Sequence, residues 1–475
     1  MPGSDRAWGK AALRLAFLAH RWVGIVTCLF FAMWFGSGLV MLYVPYPSLS
    51  PAESWQGAQP IDWGRVGQAP AAPDARWITL EMRDAAPVWR IESREGDIRL
   101  LSAEGGAVAP VDAALATRVA SRFAGRVRTV EQIADDQWTV AGGFDRHRPL
   151  WKVALADDVG TDLYISSLTG QPVQRTTRAE RFWNWLGSVP HWIYPTLLRR
   201  DRENWRQAVM WVAGPCIAVA LTGLWIGLLR LRTGRRRYRG GRMTPYRGWM
   251  FWHHVSGLAG GAMLTTWIVS GWLSVDPGHA FAGGEAPAAA MLDYAGRAGQ
   301  PHDLDRLARI APKARTVEWS GDAGFARIAI DRASPHPRWL KQETLAPAHA
   351  ADPQHAAMLV PGGRRVASDW LVQPDFYWTD ATRLPLWRLR FDDAAGTWLY
   401  VDPMSGALVE RQDRVRRTYR WVYTLLHTWG WPWLTAHYWV WTGWMWLWSL
   451  AGLLLSVSGV VLGWRRLRRP ARGKG

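Results

Sequence analysis

Residues 421–427 read Trp-Val-Tyr-Thr-Leu-Leu-His, and residues 185–191 read Trp-Leu-Gly-Ser-Val-Pro-His. Each is a short apolar segment that ends in a histidine and leads into a long apolar run. Shifting the chain by 236 positions lays one on the other, and the match extends both ways without a gap. Upstream, Pro149, Leu150, Trp151, Gly160, Thr161, Leu163, Tyr164 and Gly170 fall on Pro385, Leu386, Trp387, Gly396, Thr397, Leu399, Tyr400 and Gly406. Downstream, Trp205, Gly223 and Gly227 fall on Trp441, Gly459 and Gly463. A second register, offset by 233, matches His20, Gly24, Trp34, Ser37 and Gly38 to His253, Gly257, Trp267, Ser270 and Gly271. The chain is therefore a tandem duplication. Each copy places one histidine near the start of each of two apolar segments.

The formal charge of +18 on this 475-residue chain invites a nucleic-acid reading, and its distribution argues against one. Asp5, Arg6, Lys10, Arg14 and Arg21 give the N-terminus +3, residues 230–247 hold eight arginines and no acid, and residues 465–474 add +6. Each basic piece abuts a long uncharged run, which is the positive-inside pattern of cytoplasmic loops. The basic balance thus reports topology, and no nucleic-acid partner is expected. Many of the 35 tryptophans cluster at the ends of apolar runs, as interfacial anchors do. The two cysteines, Cys28 and Cys216, lie inside apolar runs. They offer neither a disulfide framework, nor a Cys-x-x-Cys-His haem attachment, nor an iron–sulfur ligand set.

The pattern predicts a membrane α plus α/β fold, with four transmembrane helices in two tandem repeats, each carrying an exported α/β domain. Residues 1–45 hold a cytoplasmic N-terminus and the first span. Its uncharged stretch, 22–44, is long enough for ~30 Å of hydrocarbon at 1.5 Å per residue, and it lacks a signal-peptide cleavage site. Residues 46–204 are an exported domain whose last part, broken by Pro190 and Pro195, lies along the membrane surface. Residues 205–230 are the second span, 231–247 a cytoplasmic arginine-rich loop, and 248–275 the third span. Residues 276–436 are the second exported domain with its own surface segment, 437–464 the fourth span, and 465–475 a basic cytoplasmic tail.

Chemistry is expected at the four repeated histidines, because ionisable groups at membrane depth are costly and by default functional. A neutral imidazole can ligate haem iron, and a bis-imidazole site takes two from facing helices. The repeat pairs His20 with His253 and His191 with His427, which predicts two b-type haems, one near each face. Gly24 and Gly257, four positions after their histidines, are read as room for a flat macrocycle. Ser37-Gly38, Ser270-Gly271, Thr222-Gly223 and Ser458-Gly459 are read as points of close backbone approach. The plainer reading of each histidine is an interfacial or interhelical hydrogen bond. Zinc is a further one, but no carboxylate or thiolate joins the set. His254 is an alternative ligand beside His253, although the register favours His253. Arg175, Arg178 and Arg181, with Arg411, Arg414 and Arg417, recur at three-residue spacing and form a basic stripe on a helix. Arg178, Arg181, Arg414 and Arg417 are open to two readings, as partners of haem propionates or of membrane lipid phosphates. His147, His279, His302, His336, His349, His355 and His437 have no assigned role.

The segment Val401-Asp402-Pro403-Met404-Ser405-Gly406-Ala407-Leu408-Val409 resembles the strand–turn–strand signature of PepSY domains. Residues 164–173, with Leu168-Thr169-Gly170, are a degenerate copy without the aspartate. His20-Arg21-Trp22-Val23-Gly24 is similar to the opening motif of PepSY-associated transmembrane proteins. Leu426-His427 is similar to their Leu-His motif, which in the first copy reads Pro190-His191. This resemblance implies an inner-membrane ferric-siderophore reductase of a bacterium, with two periplasmic PepSY-like domains and haem held by these histidines. It implies electron delivery to a periplasmic ferric siderophore from a separate donor, a quinol or a flavoprotein. The alternative is a non-enzymatic PepSY module that binds a peptide or ligand, which leaves the histidines without a task. A siderophore permease is a third reading, disfavoured by spans almost free of charge.

Overall fold

The computed structural model describes residues 2–281 and 283–468. The side chains of Asp5, Arg6 and Lys10, and the basic tail from Arg469 onward, lie outside what is described. The chain forms two compact units, each built from both copies of the repeat. The first comprises 1–46, 180–281 and 418–475, and the second comprises 47–179 and 282–417.

Among the described residues of the first unit, four long helices form a closed ring. These are α1 (Pro2–Met41), α2 (Arg202–Arg230), α3 (Trp249–Ser274) and α4 (Tyr438–Leu467). α1 packs on α2 and α4, and α3 packs on the same two. Their shared core includes Phe31, Phe35, Cys216, Ala220, Leu264 and Ile268. Gly452 on α4 is where Phe35 enters, since a Cβ there would lie 2.1 Å from the ring. Asp201 caps α2 by accepting a bond from the Asn204 N–H at 2.8 Å, satisfying one of the orphan donors of a helix start.

Among the described residues, three helices are long and apolar enough to cross a membrane: Ala11–Met41, Arg202–Arg230 and Tyr438–Leu467. The expected four-pass reading is thereby corrected, because α3 is not among them. The reason is compositional. α3 buries His254, Ser256, Gly260, Gly261 and Ser270 against its neighbours, so small and polar residues replace the aliphatic ones a lipid-facing helix needs.

The expectation of two separate exported α/β domains is corrected as well. The second unit contains, among the described residues, three wholly antiparallel sheets. The largest draws on both halves of the chain. Strands β1 (Ala75–Arg83), β2 (Ala86–Ser93) and β3 (Ile98–Ser102) come from the first half. Their partners β8 (Thr316–Ser320), β9 (Arg327–Ile330) and β10 (Arg338–Lys341) come from the second. They join as β10-β9-β8-β1-β2-β3, with Ile78 opposite Trp319 and Leu80 opposite Val317 across the seam. Those four side chains are fully buried in one core with Trp89, Ile91, Leu307 and Ile328. Trp89 and Trp319, one from each half, meet at 5.6 Å between ring centroids. A three-stranded half would leave that apolar face and a bare strand edge in water, so the halves fold as one body.

The other two sheets preserve the repeat. β4 (Val127–Ile133), β5 (Leu150–Leu155), β6 (Asp162–Ser166) and β7 (Pro172–Thr176) form one meander. β11 (Arg365–Leu371), β12 (Leu386–Phe391), β13 (Trp398–Val401) and β14 (Leu408–Gln412) form the other. Trp151 pairs with Ile165 as Trp387 pairs with Val401, and Tyr164 with Gln174 as Tyr400 with Glu410, so the register itself repeats at 236.

Asp322, just past β8, is a buried carboxylate whose Oδ1 accepts a bond from Arg76 Nε of the first half at 3.2 Å. Burial pushes its pKa up to about 6, with Arg76 pulling the other way. The folded chain thus holds this proton more tightly than an unfolded aspartate, whose pKa is about 3.9. Its contribution to stability grows as pH falls through 6 and is complete below the unfolded value. Asp322→Asn is expected to lose that gain between pH 7 and pH 4, checked by urea unfolding at both ends of the range. Trp319→Ala is expected to cost about 3–5 kcal/mol. Because the sheet is shared, limited proteolysis of that variant should open residues 75–102 and 316–341 in step.

Candidate functional site

The structure brings the repeated histidines together in the two expected pairs. His191 and His427 have ring centroids 6.2 Å apart with planes at 81°. His20 and His253 have centroids 6.2 Å apart with planes at 53°. Two imidazoles bonded through nitrogen to opposite sides of one metal, at about 2 Å each, place their ring centroids roughly 6 Å apart once the ring radius is added. His20 and Gly38 are separated by eighteen positions on α1, as are His253 and Gly271 on α3. The pairs therefore sit about 27 Å apart along the helices at 1.5 Å per residue.

Local sequence explains how each ring is presented. His191 ends a one-turn helix, Ser188–His191, and His427 follows a π-helical stretch, Trp421–Leu425. Both segments are anchored by indole donors. Trp205 Nε1 donates to the Trp192 carbonyl at 3.0 Å, and Trp441 Nε1 donates to the Thr428 carbonyl at 2.9 Å. Trp34 Nε1 adds a bond to the carbonyl of His191 itself at 2.9 Å.

The hydrogen bonds settle the tautomers. Ser270 Oγ donates its one proton to the Thr266 carbonyl at 2.7 Å, so it accepts from Nδ1 of His427 at 3.0 Å. The Trp267 carbonyl lies at 3.2 Å from the same nitrogen and can only accept. Ser37 Oγ donates to Trp34 O at 3.2 Å and stands 3.0 Å from Nδ1 of His191. Ser458 Oγ donates to Leu455 O at 2.7 Å and stands 3.0 Å from Nδ1 of His253. His20 Nδ1 faces the Val219 carbonyl at 3.1 Å. All four rings therefore carry hydrogen on Nδ1 and keep the lone pair on Nε2, the nitrogen left for a metal. Metal-bound histidines are oriented in this way by an acceptor at the other nitrogen.

Glycine supplies the room. A Cβ at Gly38 would lie 3.3 Å from Cε1 of His191, and one at Gly271 would lie 3.3 Å from Cε1 of His427. One at Gly223 would lie 2.7 Å from Cε1 of His20, and one at Gly459 would lie 3.6 Å from Cε1 of His253. The serine–glycine pairs read as helix contacts thus hold the rings, the hydroxyl orienting Nδ1 and the glycine admitting the edge. Thr222 is the exception, its hydroxyl donating at 2.7 Å to Ala218 O while a carbonyl takes the histidine. Gly24 and Gly257, read as space for a macrocycle, instead face Val219 and Leu455 on neighbouring helices.

His254 does not join its neighbour. Its Nε2 donates to the Gly227 carbonyl at 2.9 Å, its Nδ1 is buried without a partner among the described residues, and Tyr246 meets it edge-on at 5.2 Å. The arginine stripe is largely committed elsewhere. Arg417 donates to Gln412 O and Gly396 O at 3.1 and 2.7 Å and lies 4.2 Å over Trp398. Arg414 donates to Ala394 O at 3.3 Å, and Arg178 packs on Gly160 as Arg414 packs on Gly396. Arg181 lies on the helix Arg178–Leu186. Arg178 thus braces the turn before β6, and Arg414 and Arg417 brace the turn before β13. Among the described residues no group of three or more His, Cys, Asp or Glu is placed to hold a bare metal ion.

A cavity of about 700 Å³ adjoins His191 and His427, within the range of small-molecule sites. Its walls include Trp34, Phe35, Trp267, Trp441, Tyr423 and both histidines. Sequence reading missed Trp34, Trp267 and Tyr423, although the recurrence of tryptophan at 34 and 267 in the histidine register was a signal.

Long-range proton–nitrogen spectra of the metal-free protein should show His20, His191, His253 and His427 protonated at Nδ1. His254 should be the reverse, protonated at Nε2, and a shared pattern would overturn the assignment. Comparison with known proteins adds no family, as neither a protein-family model nor a curated protein matches this chain.

Proposed function

We propose that this chain is a membrane oxidoreductase of the bacterial inner membrane that carries two b-type haems, one between each histidine pair, and passes electrons to a ferric siderophore outside. One observation carries the reading: four imidazoles in two pairs, each at 6.2 Å, each with Nδ1 tied to an acceptor and Nε2 left with its lone pair. Two imidazoles per site are too few for zinc and suit a macrocycle that brings its own equatorial ligands. The 700 Å³ aromatic cavity beside His191 and His427 suits such a flat group. Haem, when bound, supplies one-electron chemistry.

The residues do the rest. Nε2 of His20, His253, His191 and His427 would hold the iron, while the serine hydroxyls and helix carbonyls keep each ring in the ligating tautomer. The indoles of Trp34, Trp267 and Trp441 line the second site and keep water from it. Spacing of about 27 Å between the pairs along α1 is comparable with the ~30 Å of hydrocarbon, which supports one haem toward each face. The eight-arginine stretch 230–247 leads into α3 just before His253, which supports a cytoplasmic position for the His20 pair. A quinol or a separate flavoprotein is the donor there. The ferric siderophore rests on the PepSY-like motifs quoted above, and its reduction releases iron because hard oxygen ligands hold Fe(II) weakly.

The purified protein should show a Soret band, sharp α-bands on reduction, and about two haems per chain. Alanine at His20 and His253 should remove one haem, and alanine at His191 and His427 the other. A colourless folded protein, or full haem content in the quadruple variant, overturns the proposal.

A further inference from the structure

We infer that Tyr423 is a positioning residue that clamps the imidazole of His427 nearly at a right angle to that of His191, making this pair electronically unlike the first. The inference rests on the haem reading above. The ring of Tyr423 lies 5.0 Å from that of His427 with the planes only 10° apart. Tyr419 backs it at 5.7 Å and 3°, so His427 ends a stack of three parallel rings. Nδ1 of His427 is already shared between Ser270 Oγ at 3.0 Å and the Trp267 carbonyl at 3.2 Å. Those two bonds fix the far nitrogen, and the stacked face opposes the remaining freedom, rotation of the ring about the line through its two nitrogens.

The other copy lacks this clamp. The position that aligns with Tyr423 at offset 236 is Gly187, where a Cβ would meet Val40 and the Trp183 carbonyl. Among the described residues no ring stacks parallel on His191. The result is an angle of 81° between the two imidazoles, against 53° at the first pair. The difference has an electronic consequence. Perpendicular axial rings overlap two different iron d orbitals and leave them nearly equal in energy, whereas rings closer to parallel favour one and split the two. A low-spin ferric centre of the first kind gives one strongly anisotropic paramagnetic resonance signal. A centre of the second kind gives a rhombic spectrum. Ligand orientation held by the protein is one of its levers on such a cofactor.

The test is low-temperature paramagnetic resonance of the full-length oxidised protein, with haem content measured on the same samples. Wild type and Tyr423→Phe, which keeps the ring, should both show the strongly anisotropic signal. Tyr423→Ala should lose it and gain a rhombic one. Tyr423→Leu, which fills the volume without a flat face, should do the same and covers the case in which the alanine variant loses the group. The anisotropic signal persisting in the leucine variant at unchanged haem content overturns the inference and leaves the haem reading intact. Loss of that signal in Tyr423→Phe also overturns it. Absence of any haem spectrum in the wild type removes both.

Discussion

Everything at the candidate site depends on where one proton sits on each of four imidazoles. A histidine in an apolar bundle can present either nitrogen, and only an acceptor at the other one decides which. Here the acceptors are a serine hydroxyl on a neighbouring helix, already spent as a donor on the carbonyl one turn before it, or a bare carbonyl. Neither carries charge, so orientation is achieved without a buried carboxylate. That choice suits a low-dielectric interior, where an ionised second partner is expensive to desolvate. It also leaves the ring neutral and its free nitrogen basic, which is the state a metal requires.

The duplication, the pairing of the histidines and the apolar character of three helices were all legible in the residues. Fixed offsets of 236 and 233 carry that information directly, because side chains that coincide in register coincide in role. The fate of the polar segments between the helices was not legible in the same way. Nothing in Ala75–Arg83 announces that its partner lies at Thr316–Ser320, since alternation specifies a buried face but not which strand supplies the neighbouring edge. The arginine stripe shows the same limit. Its three-residue spacing is real, yet Arg417 is committed by the Gly396 turn and the face of Trp398, contacts that spacing alone does not contain. Composition also overstated α3 as a span, since a helix can be long and uncharged while devoting its surface to glycine and hydroxyls that face its neighbours.

The two copies have not stayed identical where it matters. Ser458 takes Nδ1 of His253, whereas the aligned Thr222 bonds its own helix and a carbonyl takes Nδ1 of His20. Tyr423 stands where the first copy has Gly187. Each substitution changes how a ring is held while leaving the 6.2 Å spacing at both pairs unchanged. The spacing is the shared constraint, and the surroundings are where the copies were free to diverge.

The order of the central sheet, β10-β9-β8-β1-β2-β3, reads the same in both directions when each strand is replaced by its ordinal within its own half. A palindrome of this kind is what two identical half-length chains make when each lays the same strand against the other's across a twofold axis. The helix ring obeys the same rule, since each histidine pair takes one member from each half. Gene fusion of a self-associating ancestor accounts for both, and it explains why each histidine pair lies between the copies and not within either one. A lone half would today be left with an open strand edge and single, unmatched imidazoles, so the fusion is one that evolution could not readily undo.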